Sequence, residues 1–172
     1  ADMDAKTERS ELTQSAIVDV ALEMAALDGL ESLSIGEVAK RLNLSKSGVF
    51  SRIGSREALQ RAVLEAFDRR FQQDILMPAL REPRGLARLD AILRAWLGRA
   101  VQPGARGACL YAAGSFEFDD RDDSPLRELL LAGVRRWRGA LRRCVLQALE
   151  SGELRADLDT DQLVIELDGL FT

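Results

Sequence analysis

Residues 34–53, Ser-Ile-Gly-Glu-Val-Ala-Lys-Arg-Leu-Asn-Leu-Ser-Lys-Ser-Gly-Val-Phe-Ser-Arg-Ile, constrain the fold of this chain more than any other stretch. Ser34 and Glu37 form a capping box, whose hydroxyl and carboxylate answer two N–H groups that a helix start leaves without partners. Ile35, Val38, Ala39 and Leu42 then recur at three- and four-residue spacing, which predicts a short helix with one apolar face. Asn43 is among the few non-glycine residues that tolerate a left-handed backbone, so the helix is expected to end there. Leu44 is expected to point back to the core. Ser45 can cap a second short helix that turns Val49 and Ile53 inward and Lys46, Ser47, Phe50 and Arg52 elsewhere.

Two short helices joined by a tight turn, with the small Ala39 at their crossing, read as a helix-turn-helix whose second helix is the recognition helix. Gly48 lowers helix propensity there by about 1 kcal/mol relative to alanine. Its missing side chain is expected to let the backbone or a neighbour approach a groove wall closely. From Ser34 to Arg61 there are six Lys or Arg residues and two Glu, in a chain of net charge −4. A local positive excess is what contact with phosphates requires. The blander reading is a pair of packed helices in an all-α core, and the flanks decide between the two.

With those flanks, residues 10 to about 60 resemble the N-terminal DNA-binding domain of the TetR family of bacterial one-component regulators. A long first helix ends in Asp28-Gly29-Leu30, the capped stretch follows, and Ser-Arg-Ile-Gly-Ser-Arg-Glu-Ala-Leu comes next. The family typically closes the recognition helix with an aromatic, any residue, a histidine and a phenylalanine, then opens the next helix with Lys-Glu-Ala-Leu. Those positions here are Phe50, Ser51, Arg52 and Ile53, then Arg56, Glu57, Ala58 and Leu59. Phe50 lacks the phenol that often donates to a phosphate, which points it towards sugar or a thymine methyl. Arg52 and Arg56 keep donors and a permanent charge. The resemblance implies DNA contact through Ser34, Lys46, Ser47, Gly48, Phe50 and Arg52, with Ser45 and Arg56 at phosphates. It also implies a homodimer on operator DNA, usually a repressor, released by a small apolar or amphipathic effector.

The rest of the chain bounds the architecture. Valine and isoleucine are sparse beside leucine, alanine and arginine, and no alternating apolar and polar run flanked by hairpin turns occurs. The fold class is therefore all-α. Three parts are expected: an N-terminal three-helix domain over 1–54, a connecting helix over 55–80, and a C-terminal helical ligand-binding and dimerisation bundle over 81–172. No run approaches the roughly 18 apolar residues of a membrane span, no signal peptide appears, and no membrane partner is expected. The chain has no histidine, which removes Ser-His-Asp catalysis, His-ligated zinc or haem, and a histidine pH switch. Cys109 and Cys144 form no Cys-x-x-Cys pair and read as reduced thiols in a cytoplasm. No metal or other cofactor is implied.

Along the chain, residues 1–9 read as a frayed polar tail and a first helix as running from about Ser10 to Asp28, stopped by Gly29. Ser55 is an N-cap, and Leu59, Ala62, Val63, Ala66, Phe67, Phe71 and Ile75 form one stripe up to Met77-Pro78. By resemblance, effector binding tilts this shared helix and changes the separation of two recognition helices in a dimer. A further helix follows Glu82-Pro83-Arg84-Gly85 and ends at Gln102-Pro103-Gly104. Residues 107–118 form a shorter apolar segment, Asp119 to Asp123 an acidic loop, and Ser124-Pro125 opens a long helix reaching Ser151-Gly152. Its Arg135, Arg136, Arg138, Arg142 and Arg143 are expected to form a solvated face paired with nearby carboxylates. Asp159 or Thr160 caps a last helix lined by Leu163, Val164, Leu167, Leu170 and Phe171. That helix stops in mid-pattern and is expected to be cut short.

Trp96, Cys109, Tyr111, Phe116, Glu117 and Trp137 are the residues most suited to meet a small molecule in the C-terminal part, since an apolar wall with a few polar groups is the usual ligand site. Each equally suits an ordinary helical core. Two rival functions stay open at this point. One is a helical enzyme using Glu117 with Asp119 or Asp120, although no nucleophile with a base or phosphate cradle accompanies them. The other is a helical interaction module that has lost DNA binding.

Overall fold

The computed structural model describes residues 2–101, 109–118 and 124–170, and the side chains of all of these but 2–12, 112 and 116. Among them the chain is helical throughout, with no strand. It divides into two compact units, Ala1–Phe67 and Asp68–Thr172.

In the first unit, α1 (Asp2–Asp28) starts well before the expected Ser10. The residues taken for a frayed tail suit a helix start. Ala5, Lys6, Glu8 and Arg9 are good helix formers. Gly29, at φ 88°, ends the helix and donates its N–H to Ala25 O at 3.0 Å. Leu30 and Leu33, both fully buried, carry the connection into α2 (Ile35–Arg41). Asn43 takes the left-handed conformation at φ 53°, and α3 (Lys46–Ile53) follows. Leu44 departs from expectation, because its side chain is 39% exposed. What turns inward is its N–H, which donates to Ala39 O at 2.9 Å. Ile17, Ala21, Val38, Val49, Leu59 and Val63 complete the core of this unit.

The helix α4 (Arg56–Phe71) begins behind Ser55, whose hydroxyl accepts from Ala58 N at 3.0 Å. It passes into a π-helical turn over Gln72–Leu76 and then α5 (Met77–Ala79), instead of continuing as a regular α-helix. Two features of the sequence account for the widening. The ring of Pro78 would clash with the carbonyl of Asp74 four residues earlier in a regular helix. Phe71, Ile75 and Ala79, all buried, are spaced by four, and each such step drifts about 40° around an α-helix of 3.6 residues per turn. A wider turn relieves the clash and brings the stripe back onto one face.

The second unit is arranged around α8 (Pro125–Glu150), against which α6 (Leu86–Ala100), α7 (Leu110–Glu117) and α9 (Thr160–Gly169) pack. The buried face of α8 includes Leu126, Leu130, Trp137, Leu141 and Val145, with the small Gly133, Ala140, Cys144 and Ala148 among them. Gly133 is required by its neighbour: a Cβ there would overlap the ring of Tyr111. On α9, capped by Asp159, the buried positions are Val164 and Asp168. Leu163 and Leu167 are half-buried and Leu170 is 76% exposed, so the apolar stripe read from the sequence buries less than expected. The acidic loop at 119–123, the helix end at 102–104 and Phe171 lie outside the described residues.

Gly133→Ala opposes two effects, since alanine gains about 1 kcal/mol of helix propensity while overpacking costs about 1–3 kcal/mol. The backbone of α8 cannot move away cheaply, so the clash is expected to win and the thermal midpoint to fall. A variant that melts higher than the parent would refute the packing of Tyr111 on Gly133.

Candidate nucleic-acid interface and ligand face

Each short helix of the first unit starts on a serine that closes its own end. Ser34 Oγ accepts from Glu37 N at 3.1 Å, and Ser45 Oγ accepts from Gly48 N at 3.0 Å and from the Ser47 hydroxyl at 3.3 Å. Accepting uses lone pairs and leaves each serine a proton to donate, so capping and phosphate contact are compatible. The cap also gives Gly48 a local reason that spacing alone did not show. A Cβ at 48 would sit 2.8 Å from Ser45 Oγ, so any side chain there displaces the capping hydroxyl.

With Val49 fully buried, the phase of α3 is fixed, and Lys46, Ser47, Phe50 and Arg52 are all exposed on its other sides. Phe50, at 55% exposure, presents a large apolar ring to solvent beside these polar groups. Arg52 donates Nη1 to Gly48 O at 2.9 Å, one turn back, which holds its guanidinium along the helix and leaves further N–H donors. Lys40 and Arg41, at the end of α2, are exposed as well. The arrangement can offer cations, hydroxyls and an aromatic edge to a duplex.

Arg56 does something the sequence did not reveal. Its guanidinium donates Nε to Leu33 O at 2.8 Å and Nη2 to Glu31 O. One turn on, the buried Gln60 donates Nε2 to Leu30 O at 2.8 Å. Together they satisfy three carbonyls of the segment joining α1 to α2. The only signal available was a Gln in register with Arg56, at i and i+4, on a face otherwise apolar.

In the second unit, two candidates for the ligand face meet around Phe71. The rings of Tyr111 and Trp137 both stand edge-on to it, with centroids 5.8 and 5.4 Å away. Trp96 and Cys109 are half-buried, on α6 and just before α7, and Glu117 is half-buried in the last turn of α7. The Phe116 side chain and the partners Asp119 and Asp120 lie outside the described residues. Cys144 is buried, and burial pushes its thiol pKa up against the weaker pull of Arg88 and Arg143, so it is a poor nucleophile.

Two carboxylates absent from the candidates hold this unit together. Asp68 Oδ1 accepts from the Tyr111 hydroxyl and from Arg136 Nη2 at 2.6 Å, and Asp68 Oδ2 accepts from Gln72 Nε2 at 2.8 Å. Burial alone would raise its pKa, but the bonds from Tyr111, Arg136 and Gln72 and the Arg136 charge outweigh it, so Asp68 is held below the ordinary range. Burial, and then the bond to Asp68, push the Tyr111 phenol far above its ordinary value. The second carboxylate, Asp168, is buried on α9. It accepts from Trp137 Nε1 at 3.0 Å and from Arg138 Nε at 2.6 Å. With Arg142 on Asp161 at 3.0 Å and Arg135 on Glu128 at 3.7 Å, four of the five arginines expected to form a paired face on α8 have a carboxylate partner, and among the described residues Arg143 is the exception.

Comparison with known proteins follows the same division. Residues 17–63 match the family model described as bacterial regulatory proteins, tetR family, and residues 85–172 match the one described as tetracyclin repressor-like, C-terminal domain. Among solved structures, a TetR transcriptional regulator from Chloroflexus aurantiacus superposes with a TM-score of 0.81 at 22% identity, covering 94% of this chain and 81% of that one. AibR in complex with isovaleryl coenzyme A and operator DNA gives 0.76 at 18% identity, covering 92% and 83%. The ketosteroid transcriptional regulator KstR2 of Mycobacterium tuberculosis gives 0.74 at 16%, covering 92% and 79%. At such identities the likeness to these structures is one of fold. No curated protein matches the chain.

The clasp made by Arg56 can be separated from a phosphate contact by two substitutions. Arg56→Ala is expected to lower stability by about 1–2 kcal/mol, as two hydrogen bonds from a charged donor are lost. Arg56→Lys keeps the charge without the fork, so it should lose nearly as much stability while leaving any salt dependence of DNA binding unchanged. Full stability in the lysine variant would show that the two carbonyls do not need the guanidinium.

Proposed function

The chain belongs to the TetR family of bacterial regulatory proteins, and on that premise we propose that it is a cytoplasmic, homodimeric repressor that leaves a palindromic operator when a small apolar or amphipathic effector occupies its second unit. Members of this family are DNA-binding regulators of transcription rather than enzymes. Among the described residues no helix is long and apolar enough to cross a membrane.

One observation carries the reading: the recognition helix α3 is locked in phase by the buried Val49 and by the Ser45 cap, and it turns Lys46, Ser47, Phe50 and Arg52 outward. In the major groove, Lys46 and Arg52 supply donors for base edges or phosphates, and Phe50 packs against sugar or a thymine methyl. Ser34 and Ser45, already at helix starts, donate to phosphates there, where the positive end of each helix dipole adds to the attraction. Gly48 keeps the cap in place. Arg56 is assigned chiefly to holding the α1–α2 connection. Two such helices in a dimer read half-sites about one helical turn apart, and a palindromic operator mirrors the two-fold axis. The working division is a DNA-binding part over 1–54, a connecting helix over 55–80 and an effector and dimer part over 81–172.

The effector face is placed around Tyr111 and Trp137, with Trp96, Cys109, Phe116 and Glu117 as its further candidates. AibR, with its acyl-coenzyme A ligand and operator, supports a scheme in which a ligand and DNA bind one chain.

The test is DNA affinity as a function of salt. Replacing Lys46 or Arg52 by Ala is expected to weaken binding and to flatten the plot of log K against log salt by about 0.9 for each phosphate contact removed. If neither substitution changes affinity or slope, the exposed side of α3 is not the DNA contact.

A further inference from the structure

The environment of Asp68 is a carboxylate-binding site whose occupant is part of the chain. Three donors converge on it from three different elements: the Tyr111 hydroxyl from α7, the Arg136 guanidinium from α8 and the Gln72 amide from the π-helical turn. Hydroxyl, guanidinium and amide donors around one carboxylate make a set that recognises the group by charge and by lone-pair direction. Beside it lies a buried aromatic cluster, Phe71 with the rings of Tyr111 and Trp137 set edge-on to it. A head-group site next to an aromatic cluster matches an amphipathic acid. The head group is also within reach of solvent, since the Arg136 side chain is 50% exposed and that of Asp68 24%.

We propose that Tyr111, Arg136 and Gln72 form the head-group subsite of the effector, that Asp68 fills it when no effector is bound, and that the effector is an aliphatic or aromatic carboxylic acid. This rests on the effector-binding role given above to the second unit and names the ligand class. The exchange is balanced in charge and in hydrogen bonds: one carboxylate leaves and another arrives, so every donor keeps an acceptor. Asp68 returns to water, where a carboxylate is well solvated, and the incoming acid contributes affinity through the apolar area of its tail. The swap also has a structural consequence. Asp68 ties the end of α4 to α7 and α8, and an acid that takes its place satisfies Tyr111 and Arg136 without that tie. The ligand therefore favours one arrangement of these helices over another, which any ligand-driven change requires.

The site is tested on the full chain. In Asp68→Ala the donors lose their acceptor, and acetate or formate should restore the thermal midpoint in a saturable way, beyond chloride at equal ionic strength. The double variant Asp68→Ala, Arg136→Gln should lose that rescue. Equal effects of acetate on parent and variant, or rescue that survives loss of Arg136, would overturn the proposal. Should the alanine variant not fold, Asp68→Asn and the parent are titrated with octanoate and octanamide, followed by the emission of the two tryptophans. The acid should saturate and the amide should not, and removing the internal competitor should tighten octanoate by about tenfold. Equal response to acid and amide, or no octanoate binding by either protein, also overturns it. DNA binding is scored separately in the same samples. Acid-selective binding without any DNA binding leaves the subsite standing and sinks the regulator, whereas sequence-selective DNA binding without acid selectivity sinks the subsite alone.

Discussion

Between α2 and α3 the chain reverses course within a few residues, and the closure of that turn sets where the outward side of α3 faces. Asn43 in the left-handed region lets Asn43 N donate to Lys40 O at 3.2 Å and Leu44 N to Ala39 O at 2.9 Å. Those two bonds satisfy carbonyls that the end of α2 would otherwise leave without partners. Ser45 then caps α3 at once, so no slack separates one helix from the next. Ala39, nearly fully buried, is small enough for the two helices to cross closely. Given Val49 in the core, the exposure of Lys46, Ser47, Phe50 and Arg52 follows from helical geometry.

The second unit solves a different problem. Its long helix α8 is rich in arginine, and a purely apolar interface with α6, α7 and α9 would leave those charges crowded against one another. Asp68 and Asp168 instead take Arg136 and Arg138, and each also accepts from an aromatic donor, Tyr111 or Trp137. A carboxylate satisfied in this way, half-buried at Asp68 and buried at Asp168, adds specificity to the pairing of helices rather than much net stability, since desolvation offsets part of the attraction. That balance is what makes such a contact exchangeable for a ligand of the same charge.

Much of the fold could be read from the chain because its determinants are local. Ser34, Ser45 and Ser55 cap the helices they were expected to cap, Asp159 rather than Thr160 caps the last one, and Gly29 and Asn43 end theirs in left-handed conformations. The outward positions of α3 were legible for the same reason, since a capped helix of two turns with one buried valine has little freedom of phase. The clasp of Arg56 was not, because its acceptors are carbonyls 23 and 25 residues away. Nor was Asp68, which as a sequence is one acid beside a basic pair and becomes a site only when α7 and α8 fold against it. Gly133 carried no signal in α8 until Tyr111 was seen to occupy the space of its missing side chain. At the start of α1 the polar composition suggests fraying, yet the same residues are good helix formers and the helix extends through them.

A dimeric regulator of this family would read a specific duplex as a symmetric pair. The most direct measurement is selection of bound duplexes from a random DNA pool, run at two salt concentrations. Enrichment of one palindrome, with half-sites about a helical turn apart, is expected and should persist at the higher salt. Weak binding that disappears with salt and enriches no sequence would contradict it.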